Sequence, residues 1–333
     1  MIVRSYAGLL AALGCLVLIT FIASLAVGPS GIGLGELGNA LRDGGGTGPV
    51  SLILWELRLP RALLGGLIGA SLALAGACLQ GYLRNPLAEP GIIGISSASA
   101  LGAVIAIYTG LALRYPIALP LLAITGSVIA VLALQTLARA GNALTLILAG
   151  VAISSLCGAL TSLALSMSPN PFASLEIVFW LLGSITDRSM THVWLVTPFV
   201  IGGWVMLAMT ARPLDALSLG TETAASLGVN MSRLRLLVTL GAASCVGAAT
   251  AVSGVIGFVG LVVPHLLRPL VGYQPSRLLP ASALGGAALL LGADVLVRLI
   301  ATQNELRLGV VTALVGVPFF FYLVYRSRPA YGA

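Results

Sequence analysis

The groups that could hold a metal, activate water or relay a proton are few: two histidines, His192 and His265, ten carboxylates and four cysteines in 333 residues. No HExxH pair and no cysteine–histidine spacing joins them, so neither a metal site nor a catalytic constellation is predicted. Cys15, Cys78, Cys157 and Cys245 all fall in apolar runs, where a thiol acts as a small hydrophobe and implies no disulfide framework. The acids keep to the ends of apolar stretches. Buried acid–base chemistry, intramembrane proteolysis included, would put ionisable groups inside those stretches. Neutral mid-span positions therefore count against an enzyme and against an ion-coupled secondary transporter, and no cofactor is predicted.

All 17 basic residues are Arg, and lysine is absent. A P-loop needs its lysine to reach the nucleotide phosphates, so this chain is not itself a Walker-type ATPase. A pI near 9.7 would suit a nucleic-acid partner, but the Arg residues stand singly between apolar segments and form no basic face, so no nucleic acid is expected. The chain is 58% hydrophobic and 8% charged, where a soluble domain carries about 25% charge. The fold class is an all-α integral membrane protein, with the lipid bilayer as its solvent.

The longest polar interval is RPLDALSLGTETAASLGVNMSRLR, Arg212–Arg235. Its signals predict two short helices. Pro213 suits a first turn and Asp215 adds negative charge near that end; Gly220 ends the first helix, Thr221 caps the second with Glu222 beside it, and Gly228 ends that one. Two capped helices between spans make a docking surface. A solvated loop would be equally polar, but the order Glu222, Ala224, Ala225, Gly228 resembles the cytoplasmic coupling motif of ABC-transporter permeases.

Apolar runs on either side read as spans. Ala7–Val27, 21 uncharged residues, exceeds a signal peptide's apolar core of about 7–15 and suits a retained first span. After a Gly-rich outer segment with no phosphate-binding context come Ala62–Gln80, Ile92–Leu113, Ile117–Leu137, Ala143–Met167, an amphipathic piece with Glu176, Phe179 and Trp180, and Val193–Met209. Beyond the polar interval lie Leu234–Val252, Gly254–Leu267, Leu278–Val297 and Leu308–Tyr325. Gly254–Leu267 has only 14 residues and carries Gly257, Gly260 and Pro264, against roughly 20 for a full crossing. If it crosses with the N-terminus inside, ten Arg (4, 84, 139, 212, 233, 235, 268, 277, 326, 328) face inward and seven outward; if not, eight face nine. About ten spans with both termini cytoplasmic is the better account.

The segments after Arg58 and Arg233 both open on paired Arg, continue as a small-residue span and lead into a Gly/Pro-broken piece, one starting outside and one inside. This is a weak inverted repeat, a transporter signature that small-residue bias can also mimic. It divides a single permease domain, 1–333, into a first half, 1–211, the polar segment 212–235, and a second half, 236–333. The fifth span carries a stripe of Gly, Ala, Ser and Thr over Gly150–Ser162. Close helix packing and a weakly polar pathway wall both account for it.

RLPR (Arg58–Arg61), RNPLAEPGIIGIS (Arg84–Ser96), FWLLGSI (Phe179–Ile185), GFVGLVVPHLLR (Gly257–Arg268) and ELRLGVVTALVGVPFFFYLV (Glu305–Val324) together resemble the FecCD/BtuC-type permeases of ABC importers, from about Leu57 to the C-terminus. The resemblance implies a BtuC-like (type II ABC importer) fold in a bacterial inner membrane. It implies a second permease subunit, here a homodimer, two ABC ATPase subunits, and a periplasmic or lipid-anchored substrate-binding protein. Outward Arg residues of that family pair with Glu on the binding protein, which carries over to Arg58, Arg61 and Arg298. Interfacial anchoring is the competing role for Arg58 and Arg61, and i, i+4 pairing with Asp294 for Arg298. ATPase coupling carries over to Asp215, Leu219, Gly220, Thr221, Glu222, Ala224, Ala225 and Gly228. Pathway walls carry over to Ser154, Ser155, Gly158, Thr312 and Gly316. ELRLG departs from relatives with Pro where Arg307 stands. NPLAEPG sits nearer the haem and vitamin B12 branch than the ferric-siderophore branch, so haem is the first expected cargo, vitamin B12 the second and siderophores the third.

Overall fold

A computed structural model describes residues 5–28, 31, 33–42, 48–137, 143–168, 170–300 and 306–326, and every described element is helical. The charges at Arg4, Asp43, Arg139, Glu305 and Arg328 lie outside the described residues. In order, the chain forms α1 (Tyr6–Ala26), α2 (Leu34–Arg42), α3 (Pro49–Leu52), α4 (Leu59–Tyr82), α5 (Ile95–Tyr108), α6 (Leu111–Arg114), α7 (Ala118–Leu137) and α8 (Ala143–Ser166). It continues with α9 (Pro171–Leu181), α10 (Met190–Ala208), α11 (Ala211–Ser218), α12 (Thr221–Ser226), α13 (Met231–Ser253), α14 (Val259–Leu267), α15 (Pro275–Ile300) and α16 (Leu308–Arg326). Seven helices among the described residues are long and apolar enough to cross a membrane, and shorter apolar helices lie at Ile95–Tyr108, Pro171–Leu181, Val259–Val271 and Leu308–Phe321.

Helix α4 is the centre of the bundle. Nearly every side chain from Ala62 to Gln80 is buried, against α15, α13, α14 and α10. Small residues make this possible, because without Cβ atoms two backbones approach closely and gain dispersion contacts that lipid tails cannot match. Gly69 and Gly286 face one another across α4 and α15, and a Cβ on either would collide with the other's carbonyl oxygen. Helix α8 instead exposes Leu144, Leu148, Leu156 and Leu163.

Two expected boundaries shift. The second span begins before Ala62: a π-helical turn, Ile53–Arg58, joins α3 to α4 without a break. The charges of Glu56, Arg58 and Arg61 suggest an end, yet Arg58 is only 5% exposed and runs back along the protein. Gly254–Leu267 is an irregular, non-helical stretch of residues 254–258 followed by the nine-residue α14. Such backbone is tolerated at membrane depth only where protein covers it.

Candidate functional site

At one end of the bundle the arginines of the RLPR motif meet the end of α15. The last carbonyls of α1 have no intrahelical partner, and at that terminus the helix dipole favours cations. Two arginines satisfy them. Arg58 Nη1 donates to the carbonyls of Leu25 and Ala26 at 2.7 and 2.9 Å. Arg298 Nη1 donates to those of Ser24 and Val27 at 2.9 and 2.8 Å, and its Nη2 to Ser24 Oγ at 2.7 Å.

Between them lies Asp294, 1% exposed. Its carboxylate accepts from Arg61 Nε and Nη2 at 3.0 and 2.9 Å and from Arg298 Nη2 at 2.7 Å, confirming the i, i+4 pair with Arg298. Two guanidiniums thus share one carboxylate, and Arg58 adds a third positive charge on the same α1 terminus, leaving a local surplus of positive charge. Arg61 is the most accessible of the pair-forming arginines, at 16% against 8% for Arg298.

The central polar segment forms the two predicted helices, with one change of cap. Gly220 (φ 117°), not Thr221, occupies the N-cap of α12, and Thr221 is its first helical residue beside Glu222. The same glycine closes α11, donating its N–H to the Leu217 carbonyl at 3.0 Å. Gly228 (φ 84°) ends α12 in a Schellman arrangement: its N–H reaches Ala225 O and that of Val229 reaches Ala224 O, both at 3.0 Å. Leu214, Leu217 and Ala224 are buried beneath, while Thr221, Glu222, Ala225 and Gly228 are exposed. Leu219 and Leu227 stand 67% and 62% exposed on this otherwise polar surface.

Asp215 does something its position in the sequence did not suggest. Its carboxylate leaves its own helix and accepts the Ser276 N–H at 2.8 Å and Gln274 Nε2 at 3.3 Å, capping the start of α15. Helix α11 is therefore fastened to α15, the helix whose far end carries the arginine cluster.

Deeper in the bundle two broken segments meet. Glu89, in the connection between α4 and α5, accepts the N–H of Phe258, the residue that opens α14. Phe258 holds a left-handed backbone (φ 67°), unusual for a bulky residue. Its ring fills the notch at Gly316, which no side chain could share. A cavity of about 280 Å³ adjoins this junction, lined by Glu89, Ser96, Ser97, Gly158, Thr161 and Gly257 among others. Of the expected pathway residues, Gly158 borders that cavity and Ser155 is exposed on α8. Ser154 Oγ is buried without a hydrogen-bond partner. Thr312, 8% exposed, donates to the Gly309 carbonyl at 3.0 Å, and Gly316 is covered by Phe258. Among the described residues no cluster of His, Cys, Asp or Glu could hold a metal ion.

A model of the FecCD transport family matches residues 16–326. The chain belongs to that family. It is 38% identical over 323 residues to the hemin transport system permease protein HmuU of Yersinia pestis, covering 93% of this chain and 95% of that protein. It is 41% identical over 278 residues to the vitamin B12 import system permease protein BtuC of Vibrio cholerae, 83% of each chain. A solved chain from an ABC transporter in an inward-facing conformation superposes with a TM-score of 0.85 at 34% identity, over 95% of this chain and 98% of that one. This FecCD/BtuC-type chain is a multi-pass inner-membrane permease subunit of an ABC importer. It is a transport subunit and not an enzyme, and the general architecture of ATPase, binding protein and paired permeases follows from the family.

Proposed function

We propose that this FecCD permease imports haem, with vitamin B12 second and ferric siderophores third. NPLAEPG supports placing haem and vitamin B12 ahead of siderophores, and near full-length similarity extends to a haemin permease and to vitamin B12 permeases alike. In this reading two copies form a homodimer around a central path, with two ATPases on the inner face and a periplasmic or lipid-anchored binding protein on the outer one. Each copy is a single permease domain, 1–333, of about ten spans with both termini cytoplasmic. Segment 212–235 divides two halves related by the weak inverted repeat.

The coupling assignment is carried by Leu219, an apolar side chain exposed on a polar, firmly capped double helix. Leu219, Gly220, Thr221, Glu222, Ala224, Ala225 and Gly228 form the ATPase face, and Asp215 transmits its movement to α15. ATP-driven closure of the nucleotide-binding subunits moves α11 and α12 and switches the path from outward to inward facing. On the opposite face the surplus charge of Arg58, Arg61 and Arg298 steers an acidic binding protein into register. Ser154, Ser155, Gly158, Thr312 and Gly316 are assigned to the path. Uptake into proteoliposomes holding permease, ATPase and binding protein, with haemin, cobalamin and a ferric siderophore offered in equal amounts, tests the order. Haemin uptake is expected to lead, and cobalamin or siderophore uptake alone would overturn it.

A further inference from the structure

On the flank of the coupling segment, away from the Asp215 tie to α15, lies a groove of about 500 Å³ between the end of α10, α11 and the start of α13. Two cations line it, Arg212 and Arg233, both exposed and neither guanidinium with a hydrogen bond or ion pair among the described residues. No carboxylate lines it. Asp215, the nearest acid in sequence to Arg212, is turned to the other side and occupied by Ser276 and Gln274. Two unneutralised guanidiniums without an acid call for an anion.

The rest of the groove says which anion. Its walls are Met209, Leu227 and Leu237, and Met209 is 49% and Leu227 62% exposed. Met209 closes α10 and Leu237 lies in the second turn of α13, so the groove opens where two apolar helices enter the bilayer. The apolar surface continues past it through Val205 and Leu236, which are 56% and 43% exposed. A free phosphate would meet the two Arg and waste the apolar wall. A phospholipid uses both, its phosphodiester accepting from the guanidiniums and an acyl chain lying along Met209 and Leu237. Basic pockets between spans at the inner surface take anionic headgroups for this reason, and each Arg near such a surface contributes about 1 kcal/mol.

We propose that Arg212 and Arg233 form an anionic phospholipid site at the root of the coupling helices, holding an acidic headgroup against the segment that meets the ATPase. The site rests on the membrane reading of α10 and α13. Its test does not depend on cargo or on sidedness, so it can fail while the transport reading stands. The full chain would be purified, and retention of phosphatidylglycerol and phosphatidylcholine measured by native mass spectrometry, with thermal stability followed at increasing phosphatidylglycerol.

Phosphatidylglycerol should be retained preferentially, and the Arg212→Ala/Arg233→Ala chain should lose about thirty-fold in its affinity. Arg212→Lys/Arg233→Lys should keep most of it, which separates lost charge from misfolding. Equal retention of both lipids would overturn the proposal, as would full displacement by inorganic phosphate, the mark of a free-anion site. So would an alanine pair that binds lipid normally but no longer associates with the ATPase, which would give the groove to that subunit.

Discussion

Replacing Asp294 by Asn should make the protein less stable and its arginine-bearing face more attractive to an acidic partner, two effects of opposite sign from one atom. The carboxylate is 1% exposed and is the shared counter-ion of Arg61 and Arg298. Arg298 keeps its bonds to the Ser24 and Val27 carbonyls when the charge is removed, whereas among the described residues Arg61 has only Asp294 as a side-chain hydrogen-bond partner. Removing one partner of a buried pair costs about 3–5 kcal/mol. Arg61, 16% exposed, can turn toward water, which places the loss near about 3 kcal/mol, the lower end of that range. Meanwhile the cluster changes from three cations and one anion to three cations alone. Rim charge acts mainly on association rate, so the binding protein should associate several-fold faster at low salt. That gain should vanish near 1 M salt, where screening shortens to about 3 Å. The assays are chemical denaturation in detergent and surface-captured association kinetics. A variant that is destabilised but associates more slowly would show that the partner reads the cluster's shape and not its charge. One of unchanged stability would refute the counter-ion argument itself.

Reversal of the arginines should separate their roles. Arg61→Glu should fold and lose stimulation by the binding protein, with rescue by Arg on the partner, whereas Arg58→Glu should reduce folded yield because the α1 carbonyls lose their donor. Asp215→Ala should cost about 1 kcal/mol as a lost cap and raise the ATP hydrolysed per cargo molecule imported, while Asp215→Asn should be milder; an unchanged ratio in the alanine variant would leave Asp215 a cap only. Deleting Leu219–Gly228 should abolish ATPase association but not membrane insertion, and a normal complex would refute the coupling assignment. Cysteines placed at Ser218 and Ser226 should react with an impermeant thiol reagent only from the cytoplasmic side; labelling from outside would invert the proposed topology.

The broad architecture was legible because it depends on composition over long windows. Apolar runs located the seven long apolar helices, Gly220 and Gly228 marked the ends of α11 and α12, and the i, i+4 spacing of Asp294 and Arg298 foretold their pair. What stayed hidden was non-local. Nothing near Arg58 in sequence indicates that it would satisfy carbonyls 32 and 33 residues earlier. Nothing near Asp215 indicates that it would cap a helix 61 residues on. Thr221 lost the N-cap because Gly220 already holds an extended, positive-φ conformation shared between two helices, which a β-branched residue adopts only with strain. The pathway candidates divided for a similar reason. Gly316 reads as an open small-residue position until Phe258, folded back in a left-handed turn, is found filling it.

The most direct test of the account is uptake into sealed vesicles containing the permease with and without its ATPase, in the presence of the binding protein. Accumulation should require both the ATPase and ATP hydrolysis, and should be indifferent to proton or sodium gradients. Uptake by the permease alone, driven by such a gradient, would contradict the claim that this chain works only on power delivered through its coupling helices.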